Sequence, residues 1–597
     1  MQVALRYPAF IRSIVHIDRA SQPSLARTGR VRKNLPAVAS LTSVGTLLTV
    51  AAAPVWAIEL NTPVDRALQD QQQQRLLDQA REQRENLSAH DSPPITPPRA
   101  TVAQGPIAPD GQACIYVDGV EFRGAMLVPD SIRQQVAREV TGQCLDNAAL
   151  AHLLDEVNDW YVENGYITSH AWLPQQQGAG GPLVIASVEG KLGKVSFKDG
   201  TTRSDRAARM AFPVSPGEPL NLRDVEQGVD QLDRVTPDGV KVALRAAPEE
   251  GYSDVLVSGR TAPSIGVNLN VDNMGDSNTG ADEFDGAVTL NNPLGFGEQL
   301  GMSANSTTAL HGDRYRRSFG ASASVPLGYW TFSYAGAAGN FAVPIDFYGN
   351  LRYHGSNVQN LISVSRTVSR DSMRKIDIFG SISTYNGKTY LEDLQLDSGT
   401  ERVSAARIGI NFASRVGSRS YFTFSPVLTG GLPFASRDKS QAGGPSASFR
   451  KLSASASLYT LISPSVALLS SAYAQASAKP LYSTERVSVG GDTSVRGFKD
   501  RYLYGNTGGY LRNEADWTLS APVFGSRVTL MAAIDAGRVV PVAGEPNSGG
   551  NVVGAAVGAS AAIKHVSASL SIGAPLFAPR QLNADPVVVN LRLSMAF

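Results

Sequence analysis

From residue 264 to the C-terminus the chain is written in a period of two. Leu452, Ala454, Ala456 and Leu458 alternate with Ser453, Ser455, Ser457 and Tyr459. At the end, Val587, Val589, Leu591, Leu593, Met595 and Phe597 share one face, and Asn590, Arg592 and Ser594 share the other. Successive side chains of a strand point to opposite faces, so the pattern predicts strands with one apolar and one polar side. A water-soluble sandwich alternates too, and length with the N-terminal address decides between them. Residues 264–597 number 334, which at about 20 residues per strand and connection makes about 16 antiparallel strands, an even number suited to a membrane β-barrel. Closure also pairs the edges that so large a sheet would expose. Phe597, an aromatic on the lipid-facing register, fits the girdle of such a barrel.

Residues 113–263 change period. Two copies of the order β-α-α-β-β follow one another. The first runs strand Cys114–Phe122, helices Asp130–Thr141 and Asn147–Asn164, strands Ile167–Leu173 and Leu183–Glu189. The second runs strand Leu192–Lys198, helices Arg203–Phe212 and Asn221–Val235, strands Val240–Ala246 and Ser253–Val257. Asn221 followed by Asp224 makes a helix entry with an acidic first turn. The pattern predicts two tandem α+β modules, 113–190 and 191–263, each with a three-stranded sheet.

Upstream, residues 35–57 carry no charge and follow Arg30, Arg32 and Lys33, and Val55-Trp56-Ala57 closes them with small residues at the cleavage positions. Residues 1–57 read as a secretory signal peptide with a long n-region. A retained membrane helix is the alternative, disfavoured by Pro36, Pro54 and the Ala/Ser/Thr content. Residues 58–90 are helix-prone and polar on every side, with Gln71 to Gln74 in a row. Their central stretch, 62–88, would be about 40 Å long as a helix, close to the thickness of a bilayer. A Pro-rich linker follows over 91–112, with Pro93, Pro94, Pro97, Pro98, Pro106 and Pro109.

Composition removes several functional classes. Lys and Arg total 54 against 53 Asp and Glu, so the chain lacks the basic excess of a nucleic-acid binder. A mean hydropathy of −0.12 excludes a multi-helix membrane protein but not a barrel, whose two faces average out. The sequence contains no phosphate-cradling G-x-x-x-x-G-K-[ST], H-E-x-x-H, C-x-x-C or G-x-S-x-G motif, and its seven His are scattered. Gly295-Phe296-Gly297 with Gly301 misses the dinucleotide spacing by one residue, and Asn292-Pro293 before it marks a hairpin turn. No cofactor, metal or catalytic residue is expected; the chain reads as a non-enzyme. Cys114 and Cys144 are the only cysteines. In an oxidising compartment they are expected to close a disulfide, worth about 3.5 kcal/mol in the chain-entropy account, with two buried thiols as the alternative.

Several motifs then stand in order. Val495-Arg496-Gly497-Phe498, within SVGGDTSVRGFKD, resembles the signature of the superfamily that inserts or transports proteins at outer membranes, and Ile534-Asp535-Ala536-Gly537 resembles its companion strand motif. VDNMGDSNTG and LNNPLGFGEQL resemble the first hairpins of TpsB-type transporters of two-partner secretion, the haemolysin secretion/activation family. Trp160-Tyr161 with Gly165-Tyr166-Ile167-Thr168-Ser169 resembles its first POTRA domain, and Pro219 to Gly228 its second. Glu298 departs from the family, which places an aspartate there.

The resemblance covers about 58–597 and implies the following. Two POTRA domains stand in the periplasm of a Gram-negative bacterium and present sheet edges to an unfolded TpsA-type exoprotein. A barrel in outer-membrane lipid carries that exoprotein to the surface. Helix 58–90 plugs the lumen. A loop near 485–510 folds inward so that Arg496 latches onto Asp535. Phe597 serves as the C-terminal signal read by the barrel-assembly machinery. A barrel-assembly insertase of the same superfamily is the alternative; it usually carries more POTRA repeats and no plug helix. A passive porin would not need residues 113–262.

Overall fold

The computed structural model describes residues 73–74 and 114–597, apart from 177–180, 199, 238, 260–262, 308–312, 347–349, 441–443, 524, 543–544 and 546–547. The signal peptide, the linker and all of the 58–90 helix except Gln73 and Gln74 lie outside the described residues.

In the first module β1 (Ile115–Tyr116) is followed by β2 (Val120–Arg123), α1 (Asp130–Val140), β3 (Cys144–Leu145), α2 (Asn147–Glu163), β4 (His170–Trp172) and β5 (Leu183–Val188). Asp146 caps α2, its carboxylate accepting from Ala149 N at 2.8 Å. The apolar faces of both helices, Val136, Leu150, Leu153, Val157 and Tyr161, close over Leu183 and Ile185. The single strand expected over Cys114–Phe122 is two, because the chain changes partners midway. Ile115 and Tyr116 pair with Leu145 and Cys144, whereas Val120–Arg123 runs parallel to Leu183–Ala186. Cys114 and Cys144 are joined by a disulfide beside that change of partner. The strand expected over Ile167–Leu173 is shortened to His170–Trp172 by a turn in which Ser169 N donates to Tyr166 O.

The second module repeats the plan with β6 (Lys191–Phe197), α3 (Thr202–Ala211), α4 (Leu222–Asp233), β7 (Lys241–Ala246) and β8 (Tyr252–Ser258). Both sheets have the module's last strand in the centre, in the orders β2-β5-β4 and β6-β8-β7. The modules are joined tightly. Asn221, the cap of α4, donates through its amide to Asn164 O at 3.0 Å, and Leu222 N donates to Gly165 O at 2.8 Å.

Sixteen antiparallel strands, from Ser264–Asp272 to Val588–Ala596, close the barrel, and Leu394–Gln395 forms a short spur on the end of Arg374–Leu391. The seam pairs Arg592 with Asp272 and Ala596 with Asn268, and Phe597 and Val267 exchange two main-chain bonds of 2.9 Å. The period-two pattern sorts as expected. Leu452, Leu458, Val589, Leu591, Leu593 and Phe597 face outward and are exposed, whereas Ser453 and Ser457 turn inward and are buried. The ring of Phe597 stacks on His565.

Helix α4 docks on the barrel through polar contacts. Gln227 and Gln231 both donate to Gly328 O in the turn between the fourth strand (Tyr315–Leu327) and the fifth (Trp330–Asp346). Tyr329 donates its hydroxyl to Asp224, whose carboxyl burial raises above its ordinary pKa, an effect partly offset by that bond. Arg370, at the end of the sixth strand (Asn350–Arg370), pairs with Glu226 at 3.1 Å and with Asp230, which Lys375 also meets at 3.1 Å. Removing one member of such a buried cluster strands the others. Arg370→Ala is therefore expected to weaken the docking of α4 by about 3 kcal/mol, the low end for a buried ion pair because Lys375 still faces Asp230. Faster tryptic release of the two modules from the folded barrel would register the loss; an unchanged rate would contradict it.

Candidate functional site: the lumenal loop

Between the eleventh strand (Val466–Ala476) and the twelfth (Gly508–Thr518) the chain turns back into the barrel. Val487–Val489 and Leu503–Gly505 pair antiparallel as the stem of this loop. Val487, Val489, Val495, Phe498 and Leu503 bury their side chains against Tyr510, Val539, Val552 and Leu582. Phe498 is thus a packing residue of the loop.

At the tip, Arg496 and Asp535 come together. Nε of Arg496 donates to Asp535 Oδ2 at 2.7 Å and Nη2 donates to Oδ1 at 2.8 Å, a two-pronged pairing of fork and carboxylate. The main-chain N–H of Arg496 donates to the same Oδ2 at 3.0 Å, and Asn513 N donates to Oδ1 at 3.1 Å. The Asp535 side chain is fully buried and that of Arg496 is 5% exposed. The remaining prong, Nη1, meets Glu514 on the twelfth strand. One guanidinium therefore faces two carboxylates.

Sequence reasoning missed Glu514. Leu511 and Trp517 point outward, so the period of two places Glu514 on the lumenal face. Which inward residue lies beneath the loop tip depends on strand stagger.

The wall is cut to receive the loop. Gly497 has φ +90, and a Cβ there would stand 2.5 Å from Ala574 O. A Cβ on Gly554 would overlap the carbonyl oxygen of Arg496. Glycine is required at the first position by conformation and approach together, and at the second by approach alone.

Gln73, in the two described helical residues of the 58–90 segment, lies on the same loop. Its amide donates to Ser488 O at 2.8 Å and accepts from the Thr493 hydroxyl at 2.9 Å. Glu298 caps its own turn, accepting from Phe296 N at 2.7 Å and from Leu294 N, while Asn292 accepts from Gly297 N. The glutamate thus holds the turn at the position where an aspartate is expected. Among the described residues no His, Cys, Asp and Glu are grouped so as to hold a metal ion.

Beyond the loop, a cavity of about 560 Å³ opens in the lumen. Its lining runs from Gln231 of α4 past Ser333, Asn360, Ser381 and Ser455 to Glu485 of the loop. Hydroxyl and amide side chains are the commonest in this lining, with charged groups such as Arg370, Arg407 and Glu485 and apolar ones such as Leu361 and Phe379 among them.

Residues 251–561 match the family described as haemolysin secretion/activation protein ShlB/FhaC/HecB, and residues 115–190 and 191–246 match POTRA domains, the former of ShlB type. The chain belongs to this family. It is similar to the outer membrane transporter CdiB of Escherichia coli, at 33% identity over 546 residues, which cover 90% of this chain and 91% of the relative. It is also similar to the hemolysin transporter protein ShlB of Serratia marcescens, at 25% identity, with 89% and 94% of the two chains covered. Among solved structures, CdiB from Escherichia coli superposes with a TM-score of 0.83 at 33% identity, over 90% of this chain and 99% of that one. CdiB from Acinetobacter baumannii, with a TM-score of 0.69 at 20% identity over 88% and 98% of the two chains, shares the fold. The protein is a transporter of two-partner secretion, with its barrel in the outer membrane and its POTRA domains in the periplasm.

Gly497→Ala places a methyl against the Ala574 carbonyl in a backbone conformation that alanine resists. It is expected to lift the tip off the wall and lower transport at least tenfold while the barrel stays folded. Heat-modifiable mobility on gels together with a surface immunoblot of the exported protein would separate these two effects; undiminished transport would show that the tip tolerates displacement.

Proposed function

We propose that this transporter exports one large, unfolded TpsA-type exoprotein, of the haemolysin, adhesin or contact-dependent toxin kind, which it engages in the periplasm through its POTRA domains. The observation that carries the reading is the buried Arg496 fork on Asp535 and Glu514 at the tip of a loop inside the lumen. A passive solute channel would not need the two POTRA modules that precede the barrel. The POTRA sheets have edge strands to which an extended chain can add by main-chain hydrogen bonds with little demand on its sequence. The cavity between α4 and the loop is the conduit of this scheme.

Helix 58–90 acts as the lumenal plug, and its tie to the loop through Gln73 supports that role. The sequence lacks a nucleotide-binding loop, so progressive folding of the exported chain outside the cell supplies the drive. Insertion of the transporter itself draws on the barrel-assembly machinery, which reads the final strand ending in Phe597. Outer-membrane lipid covers the apolar outer face. The reaction is transport without chemistry on the cargo.

Export of an exoprotein encoded beside this gene, followed by surface immunoblotting in a strain lacking other transporters, tests the reading; failure of that exoprotein to appear on the surface would overturn it. Arg496→Ala is expected to abolish export with the barrel still heat-modifiable. Asp535→Ala should be less severe, because Glu514 still holds one prong, and the double variant should be no worse than Arg496→Ala alone. Additive defects would mean that the two residues act separately. Deleting residues 58–88 is expected to raise planar-bilayer conductance; an unchanged conductance would remove the plug from the scheme.

A further inference from the structure

The latch at the loop tip leaves a second buried ionic cluster unexplained. It sits at the loop's other shoulder, eleven residues before Arg496, in Leu481 to Arg486. Glu485, 5% exposed, meets two cations of the wall. Arg407 reaches one oxygen of its carboxylate from the eighth strand (Glu401–Val416), and Lys451 meets the other at 2.7 Å from the tenth (Arg450–Ser463). The main chain is gripped as well. The carbonyl of Glu485 accepts from Lys451 Nζ at 3.0 Å and from Gln475 Nε2 at 2.9 Å.

The neighbouring residues are fastened as well, Tyr482 and Ser483 to the same part of the barrel and Arg486 to the connection after the thirteenth strand (Arg527–Val539). Ser483 donates its N–H and hydroxyl to Glu401 at 3.1 and 2.8 Å, and Tyr482 is buried against Val403, Ala405 and Phe449. Arg486 forms a two-pronged pair with Glu545 at 2.7 and 3.1 Å. Glu545 lies in the connection after the thirteenth strand, whereas Glu401, Arg407 and Lys451 lie on the eighth and tenth strands, apart from the tip's partners on the twelfth and thirteenth.

The charge arrangement at the shoulder is the inverse of that at the tip. At the tip one loop cation faces two wall carboxylates; at the shoulder one loop carboxylate faces two wall cations. In each case the wall group left behind has a like-charged neighbour. Withdrawing the loop end therefore exposes repulsion as well as lost pairing. Two such sites with opposite sign, on separate parts of the barrel, make the loop a strut across the lumen rather than a flap hung from one point. Thr484 and Glu485 also line the cavity that runs to α4, so the shoulder forms one wall of the conduit.

We propose that Glu485 is a second latch, a positioning residue that holds the shoulder of the loop on Arg407 and Lys451 independently of Arg496, and that export requires both latches. The proposal rests on the export reading above, but its first readout does not involve cargo. Arg486 follows Glu485 directly and its side chain is 3% exposed, so the bond after it is shielded from protease while the shoulder is seated.

Intact cells carrying the full-length transporter are treated with external trypsin, and the new N-terminus at Val487 is quantified by mass spectrometry. Because Glu545 holds Arg486 in its own right, both variants are read in a Glu545→Gln background, where cleavage should be at least tenfold faster with Glu485→Gln than without it, and unchanged by Arg496→Ala, whose shoulder remains latched. Export should fall at least tenfold in both variants while heat-modifiable mobility is retained. Lys451→Gln, which leaves Arg407 in place, should be intermediate in both readouts and serves if Glu485→Gln fails to fold. Protection of the Val487 site in Glu485→Gln overturns the latch, whatever happens to export. Equal exposure of that site in Arg496→Ala overturns the independence of the two latches. Normal export with the site exposed overturns the requirement for the shoulder. Absence of export by the parent transporter would count against the export reading and leave the protease result standing.

Discussion

A guanidinium that is 5% exposed inside a barrel has to be paired, because a charge withdrawn from water without partners costs several kcal/mol. Much of the lumen is arranged around that constraint. Arg496 spends both sides of its fork on Asp535 and Glu514, and the lone pairs that remain on Asp535 are taken by two main-chain N–H groups. The carboxylate is then satisfied from four directions, which permits its complete burial. Such an arrangement needs the loop backbone to lie almost on the wall, and the wall supplies glycine where the backbone touches it. Gly554 lies under the Arg496 carbonyl, and Gly497 lies against Gly573 and Ala574.

The second module is attached to the barrel by the same kind of chemistry. Helix α4 buries Gln227, Asp230 and Gln231 against the barrel, yet these contacts are hydrogen bonds and ion pairs rather than apolar packing. Within each POTRA domain the cores are apolar and closed, around Leu150 and Ile185 in one and Leu220 and Val255 in the other. Rigid parts with polar joints are the pattern of inter-domain contacts that can be undone and remade. Gln73 extends the pattern, its amide meeting the loop at Ser488 and Thr493. Gln73, the loop and α4 all make their contacts here through polar or charged groups.

How much of this was legible beforehand follows from the range of each interaction. Period-two alternation is a local property, so strand character and the lipid-facing side could be read from residues such as Leu452 to Tyr459 and Val587 to Phe597, while the number of strands followed from the length of 264–597. The helices of the POTRA domains were legible for the same reason, to within one or two residues at their ends. The break in the first strand was not. The segment Cys114–Phe122 has the composition of one strand, and only the positions of Leu145 and Leu183 in space divide it. Of the loop, the motif around Arg496 and the aspartate at 535 stood out through their resemblance to a family, which carries spatial information that a single sequence lacks.

What the sequence determined by itself was the set of elements and the identity of the groups able to pair. Tertiary structure decided which groups meet. Glu514 and Arg407 are on inward registers that alternation predicts, but the stagger between strands sets their height in the lumen, and the path of the loop sets which of them it reaches. Glu485 had no local signature, because a glutamate among Tyr482, Ser483, Thr484 and Arg486 reads as an exposed polar turn. It becomes a buried charge only when closure of the barrel brings Arg407 and Lys451, 78 and 34 residues away, to the same point. Pairings at that separation are fixed by the geometry of the closed sheet, and no local pattern in the chain encodes them.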